Sequence, residues 1–421
     1  MTNHTGLTLT EAEQHLKQMI SPLKKTEIRP LAAATGAILG QNLVSPINVP
    51  PSDTAAVDGY AFCYAAMLAS PDRRLQVKGQ ASAGHPLTHA FIPGTAIYIT
   101  TGTPMPQAEQ TDHSPDTIAM QEHCEVETDA GGTWVTLPDA LTKGSNFRPC
   151  GENIQRDEVA LTKGQRLGAA EIGLAAAMGF SQIEVQKPLS VGLLSTGEEV
   201  HDITLTSDLK TGGIFDSNRP MLTSLLKSDF HHVHDGGIIG DKLEAVTHAI
   251  RTMAEKADAI ILSGGSSGGS EDFARQAVEA AGGKIAFSGI HIKPGRPFAA
   301  GILASKPVFC IPGNPVAVFV TYRLLVADAL MRLAGGIPRP QLRFPVICGF
   351  SAKHKLGRTD FVRVTLSYDK GTLPVATPNG RFGAGVLTSL TGADGLLEIS
   401  ADHGHVNEGD QCHFIPFREA L

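Results

Sequence analysis

Aromatic residues make up only 5% of the chain, and tryptophan occurs once. A surface of stacked aromatics for single-stranded nucleic acid is therefore not expected. There is no strongly basic tract, and the formal net charge is −7. Such a balance gives no bulk attraction to nucleic acid or to an anionic membrane, so neither is expected as a partner. Any anionic ligand needs a locally basic pocket. No run approaches the roughly 18 apolar residues of a membrane span. The opening residues, MTNHTGLTLTEAEQ, have neither the basic head nor the apolar core of a signal sequence, which argues against secretion. The six cysteines, Cys63, Cys124, Cys150, Cys310, Cys348 and Cys412, are far apart and form no C-x-x-C pair. That argues against a zinc or disulfide framework and for a cytoplasmic location. No internal repeat is found.

What is present is the composition of a globular enzyme. The 421 residues are 42% hydrophobic and 18% charged, with 45 Gly and 26 Pro. At roughly 100–200 residues per domain, that length suggests two to four domains. Thr10 and Glu13 have capping-box spacing, and Leu16, Met19 and Ile20 follow on one helical face. LAAATGAIL, between Pro30 and Gly40, reads as a short helix. From about residue 58 to 149, LQVKG, AIYITTG, TIAMQE and WVTLP sit between Gly and Pro signals, a β-rich pattern. A helix is expected over residues 169–178, ended by Gly179. From about 187 to 333 strand candidates (SVGLLS, HHVHDGGII, DAIILSGG, IAFSGIHI, PVFCIPG) alternate with helix candidates. The last helix candidate is NPVAVFVTYRLLVADALMRL. That alternation implies an α/β fold with a mostly parallel, doubly wound sheet, whose ligands sit beyond the carboxyl ends of the strands. Residues 335–341 read as a linker. FPVICGF, FVRVTLSY, TLPVATP, GLLEIS and QCHFIPF then suggest a compact β unit.

Five segments could carry chemistry. DAIILSGGSSGGSEDF (258–273) runs from strand through a Gly-rich loop into a helix. Backbone N–H groups and a helix N-terminus suit a phosphate, although the loop lacks the G-K-[ST] of a Walker loop. A phosphate cradle and a plain flexible loop both fit. In IKPGRPF, Lys293 and Arg296 flank a Pro-Gly turn. They can converge on one oxyanion or form a solvated basic turn. In IPGNPV, Asn314 can cap the helix that Pro315 begins. In STGEE, Glu198 and Glu199 suit a divalent cation near a phosphate, or simple solvation. TAAVDGY and ITTGTPMP are turns, the first with an exposed Asp58. His231, His232 and His234 lack a completing ligand for a metal. Ser195 and His201 lack the G-x-S-x-G elbow of a hydrolase.

AVDGY, ITTGTPMP, STGEE, SGGSSGGSEDF, IKPGRPF, IPGNP and GRTDFVR together, in this order, resemble the molybdopterin molybdenumtransferase family of MoeA and the gephyrin E-domain, over nearly the whole chain. The resemblance implies an N-terminal helix (1–25) on a molybdopterin-binding α/β domain (186–335). It also implies a connecting domain (26–57 with 150–185), a β-rich insertion domain (58–149) and a C-terminal β-barrel-like domain (340–421). It implies a homodimer with its active site at the subunit interface. The implied reaction inserts molybdate into adenylylated molybdopterin, with Mg²⁺, releasing AMP and forming molybdenum cofactor. A molybdopterin adenylyltransferase and molybdoenzyme apoproteins are the further partners.

By that resemblance Lys293, Arg296 and Arg358 bind molybdate or the terminal phosphate. Gly264, Gly265 and Ser266 line the pterin-phosphate loop, and Pro312, Gly313 and Asn314 complete the substrate-binding set. Glu199, Asp241 and Asp272 position Mg²⁺ or the nucleotide. Asp58 and Thr101 come from the other protomer, and these five form the catalytic set. Three positions depart from the family pattern. R-x-x-G-E-D ends here in Asn153, the usual Gly-Ser reads Gly383-Ala384, and Arg296 stands where Lys is common. These departures leave room for a non-catalytic binding or carrier protein. A third reading is the adenylyltransferase step.

Overall fold

The computed structural model describes residues 6–205, 208–209, 211–264, 271–369 and 371–417, and the side chains of Thr111, Glu271 and Asp272 are not described. Chain order begins with helix α1 (Leu9–Met19), which buries Leu9, Ala12 and Leu16. Its N-cap is Thr8, whose hydroxyl oxygen accepts from the Glu11 N–H at 3.3 Å while the Glu11 carboxylate takes the Thr8 N–H at 2.8 Å. The expected capping box thus lies two residues earlier than Thr10 and Glu13. Leu9 has to lie inside the helix for its side chain to reach the core, so the stop moves back to Thr8.

The next stretch is a small body of paired short strands. Thr26–Pro30 runs antiparallel to Gln182–Gln186, and Leu43–Val44 to Val159–Leu161. Leu39, Leu167, Met178 and Val185 are among its core residues. The helix expected for LAAATGAIL is only a 3-10 turn, Leu31–Ala33. Ile38 and Leu39 instead make isolated bridges to Arg166 and Val185. Those tertiary pairings override a weak local preference.

A six-stranded sheet follows, formed by β1 (Gly59–Phe62), β2 (Arg74–Ala81), β3 (Thr95–Ile99), β4 (Thr117–Met120), β5 (Glu125–Asp129) and β6 (Gly132–Thr136). Its order is β4-β1-β3-β2-β6-β5. After α2 (Ala169–Ala177) comes the central unit. It comprises β7 (Ser190–Thr196), α3 (Asn218–Ser228), β8 (His232–Ile239), α4 (Leu243–Lys256), β9 (Ala259–Ser263) and α5 (Glu271–Ala280). β10 (Lys284–Ser288), β11 (Ala299–Leu303) and β12 (Lys306–Ile311) complete its sheet. The order is β8-β7-β9-β12-β11-β10. β8, β7, β9 and β12 are parallel, whereas β11 and β10 form an antiparallel edge. The strand AAGIL was not foreseen, because five small or apolar residues before a turn carry no clear period.

Alternate residues of the central strands face opposite ways. Val191, Leu193, Ile261 and Phe309 share a core with α1, α3 and the last helix. Leu194, Ile260, Leu262 and Val308 pack on α4 and α5. Both faces are buried, as a doubly wound sheet requires. That last helix is α6 (Pro315–Thr321), a π segment (Tyr322–Val326) and α7 (Ala327–Leu333) in continuous succession. No helix among the described residues is long and apolar enough to cross a membrane.

The chain ends in a closed barrel. Its strands are β13 (Phe344–Cys348), β14 (Thr359–Ser367), β15 (Val375–Pro378), β16 (Gly395–Ile399) and β17 (Gln411–Pro416). They close in the order β14-β15-β13-β17-β16 and back to β14. The α/β multidomain architecture, with a β-rich unit and a barrel beside it, is the one expected. The short strand Ile292–Lys293 leaves the central unit and pairs with the start of β14. That pairing joins the two bodies.

Candidate functional site

A cavity of about 560 Å³ lies at this junction. One wall is the turn from Ile292 to Pro297 with Pro312, Asn314 and Ala317. The barrel supplies the other wall, including His354, Arg358, Asp360, Arg363, Phe382 and Ala384. Four of the predicted binding residues besides Pro312 therefore meet there: Lys293, Arg296, Asn314 and Arg358. The turn is tight because Gly295 has φ +117, and a Cβ there would lie 2.6 Å from Thr321 Cγ2. Only glycine accepts both conditions.

Asn314 begins α6 as its N-cap, with Pro315 in the first turn, but its side chain makes no capping hydrogen bond. The Val316 N–H instead donates to the Ala384 carbonyl at 3.0 Å, so a barrel loop closes the helix start. Asn314 is left facing the cavity. Arg358 is not free to act as an isolated cation. Its Nε and Nη2 donate to the two Asp360 oxygens at 2.7 and 3.0 Å. Lys293 Nζ stands 3.9 Å from Asp360.

The cation that sequence reasoning missed is Arg363. It is 6% exposed and lines the cavity. Its Nε donates to Ser389 Oγ at 3.0 Å and its Nη2 to the Gly383 carbonyl at 3.1 Å. Among the described residues no carboxylate pairs with it, and burial pulls its pKa below the ordinary value. A buried guanidinium without a counter-charge is costly until an anion arrives. The signal was present in GRTDFVR: alternation on β14 sends Val362 and Val364 into the barrel core, so Phe361 and Arg363 point the other way.

A second group sits beyond the carboxyl ends of the central strands. Asp241 accepts the Glu198 N–H at 3.3 Å. Burial raises the Asp241 pKa, and the charges of Glu199 and Glu198 push the same way against that N–H. Lys242, not Asp241, is the N-cap of α4. Asn218, at the start of α3, donates to Ser263 Oγ at 3.1 Å and to the Gly313 carbonyl at 2.6 Å. It ties the end of β9 to the loop after β12, and was also missed. Gly264 has φ +108, and a Cβ there would lie 2.3 Å from the Thr196 carbonyl oxygen. Gly265 and Ser266 lie outside the described residues, as does the Asp272 side chain. Among the described residues no group of three or more His, Cys, Asp or Glu is arranged to hold a metal.

Asp58 and Thr101 meet each other on the insertion sheet. The Asp58 carboxylate accepts the Thr101 N–H at 2.7 Å and its hydroxyl at 2.8 Å, which holds the carboxyl below its usual range. Neither residue lines the cavity of its own chain. Asn153 is exposed and gives its N–H to the Val49 carbonyl, while Arg148 pairs with Glu152 at 2.6 Å.

Comparison with known proteins converges on one assignment. Residues 7–179 match the model of the MoeA N-terminal region (domain I and II). Residues 192–332 match a probable molybdopterin binding domain, and residues 345–417 match the MoeA C-terminal region (domain IV). A molybdopterin molybdenumtransferase of Haemophilus influenzae is 30% identical over 417 residues, covering 99% of this chain and all of the relative. Gephyrin of Dictyostelium discoideum is 29% identical, covering 93% of this chain and 59% of gephyrin. Among solved structures, the molybdopterin biosynthesis moeA protein of Pyrococcus horikoshii OT3 superposes with a TM-score of 0.81 at 26% identity, covering 98% and 100% of the two chains.

Proposed function

The chain belongs to the molybdopterin molybdenumtransferase family, transferases of molybdenum cofactor biosynthesis, and on that premise we propose that it inserts molybdate into adenylylated molybdopterin with release of AMP. The observation that carries this reading is the buried Arg363, without a carboxylate partner among the described residues, facing a cavity that Lys293 and Arg296 also line. Molybdate is a tetrahedral dianion. A guanidinium offers it a fork and an ammonium a point charge, in a cleft where water competes poorly. Arg358 contributes through its pairing with Asp360.

The pterin phosphate and adenylate fit the second group. Gly264 and Gly313 supply backbone next to it, with Pro312 and Asn314 leading on to the cavity, and the family resemblance adds Gly265 and Ser266 to this set. Mg²⁺ usually takes one or two carboxylates together with substrate phosphates. Glu199 and Asp241 fit that demand, because Asp241, whose pKa is raised first by burial and then by the charges of Glu199 and Glu198, gains from a cation beside it. They would hold the ion, with Asp272 as a third candidate, and the ion would supply charge neutralisation at the phosphates. In the same reading Asp58 and Thr101 serve the cavity of a second copy in a homodimer. The setting is the cytoplasm. An adenylyltransferase supplies the substrate, and molybdoenzyme apoproteins receive the product.

The test is AMP release from adenylylated molybdopterin and Mg²⁺, with and without molybdate. Molybdate-dependent release is expected. Binding of adenylylated molybdopterin without release would support the second reading, a carrier. One observation favours that reading: Ala384 lines the cavity where the family carries a hydroxyl. The double variant Asn153→Asp with Ala384→Ser separates a weakened enzyme, which gains turnover, from a dedicated binder, which does not.

A further inference from the structure

His354 is a cavity residue that the family reading leaves without a role. Its side chain is 1% exposed and lies on the cavity wall. Nδ1 lies 2.7 Å from the His403 carbonyl, so Nδ1 carries the proton in the neutral ring. Nε2 then presents a lone pair, is buried, and has no hydrogen-bond partner among the described residues. It stands 3.5 Å from Oδ1 of Asp360, just outside hydrogen-bond reach, as two lone pairs should. That same Oδ1 accepts Nε of Arg358 at 2.7 Å. Asp360 therefore holds Arg358, has Lys293 at 3.9 Å, and faces the bare nitrogen of His354.

We propose that His354 is a positioning residue that gates the oxyanion in this cavity. On taking a proton from solvent at Nε2 it donates to Oδ1 of Asp360 and competes there with Nε of Arg358, which keeps its second bond, Nη2 to Oδ2 at 3.0 Å, and is loosened toward the anion. The site is then more cationic by one charge, and Arg358 is held to Asp360 by one bond fewer. Several charged and titratable groups bear on this step, among them Arg296 and Arg363 on the same cavity and His403 and His405 on the facing segment, where His405 pairs with Lys353. Asp360 and Arg358 face His354 from the β14 side, and Lys293 faces it from the short strand beside β14. The 400–404 loop contributes the His403 carbonyl, and Asp402 there bonds Ser400 Oγ at 3.2 Å. Lys353 and Lys355 flank His354 in sequence. Of these side chains, imidazole is the type that titrates between roughly pH 5 and 8. The choice of molybdate as the natural anion rests on the function proposed above; the gate itself needs only a tetrahedral oxyanion.

The experiment is calorimetric binding of sulfate and of molybdate to the full chain at about pH 6 and about pH 8, a window that brackets imidazole titration. Sulfate stays a dianion across that window, so its pH dependence belongs to the protein. In the wild type both anions should bind on the order of fivefold tighter at the lower pH. In His354→Asn, whose amide keeps a donor for the His403 carbonyl, the change should fall below about twofold. Arg358→Gln should flatten it as well. An unchanged pH dependence in folded His354→Asn overturns the gate, and so does a wild type that binds both anions equally at both pH values. Should the variant fail to fold, the wild type still decides. With ¹³C-labelled histidine, saturating sulfate should move the His354 midpoint to higher pH by linkage, and a fixed midpoint overturns the gate. Binding of neither anion also overturns it. Sulfate binding with the expected pattern but no molybdate binding keeps the gate and removes the molybdenumtransferase reading.

Discussion

Arg363 and Arg358 illustrate how two arginines five residues apart differ in chemistry. Arg358 spends its fork on Asp360, whereas Arg363 donates to Ser389 Oγ and a backbone carbonyl and, among the described residues, meets no carboxylate. Losing a donor at a site of developing charge costs roughly 10²–10³ in rate. Arg363→Ala is therefore expected to lose about that factor in molybdate-dependent AMP release. Arg358→Ala should lose less, since its removal leaves Asp360 to Lys293; equal losses in single-turnover assays would contradict the assignment. His231 supplies a stability prediction. It is buried, its Nδ1 has no hydrogen-bond partner among the described residues, and burial lowers its pKa to about 4 against the attraction of Asp229. The unfolded ring, titrating near 6.5, takes up its proton first. Its contribution is therefore complete above about pH 6.5 and lost as pH falls toward 4. Between pH 7 and 5 the wild type should lose about 2 kcal/mol relative to His231→Phe, read from urea midpoints. Lys293, Arg296 and Asn314 were legible as candidates from their turn and helix-start motifs, whereas Arg358 was legible only through the family resemblance. Arg363 was not singled out, because its burial without a counter-charge is set by barrel closure.

At the scale of elements, the loop ends of the central sheet hold one another by backbone contact. Gly264 sits against the Thr196 carbonyl in a left-handed conformation. Gly264→Ala combines a backbone strain of about 1–3 kcal/mol with a clash that the fixed carbonyl cannot relieve. It should lower the urea midpoint and weaken adenylylated molybdopterin binding together. A fall in stability with unchanged binding would mean that this loop end does not reach the substrate. Strands such as SVGLLS and DAIILS were readable because both sheet faces demand apolar residues there. The start of α1 was misplaced by two residues, since Thr8 and Thr10 are equally good caps locally and only the burial of Leu9 chooses between them. The antiparallel strand β11, between β12 and β10, and the π segment within the last helix were invisible for a similar reason. Their hydrogen bonds depend on neighbours distant in the chain or on packing, not on local preference.

At the scale of the whole molecule, the cavity exists because a two-residue strand, Ile292–Lys293, docks the central unit onto β14 of the barrel. Neither body encloses it alone. Asp58 and Thr101 stand outside it, on the insertion sheet, in the same chain. If they complete the cavity of a second copy, two inactive variants should rescue each other. Co-expressed Asp58→Ala and Arg363→Ala chains are expected to recover about a quarter of wild-type AMP release, because half of randomly mixed dimers carry one intact site. No recovery, or a monomer by light scattering, would place Asp58 elsewhere. The order of motifs, the alternation of strand and helix, and the low net basicity are properties of the chain itself, and they determine its fold class and its family. Hydrophobic period and turn chemistry act over a few residues, so they can be read without coordinates. Which cation lacks a counter-charge, which histidine nitrogen is left bare, and which carboxylate is shared depend on contacts between residues as far apart as Lys293 and Asp360. Such contacts are decided only when the barrel closes and docks, because burial and electrostatic pairing are properties of the packed molecule.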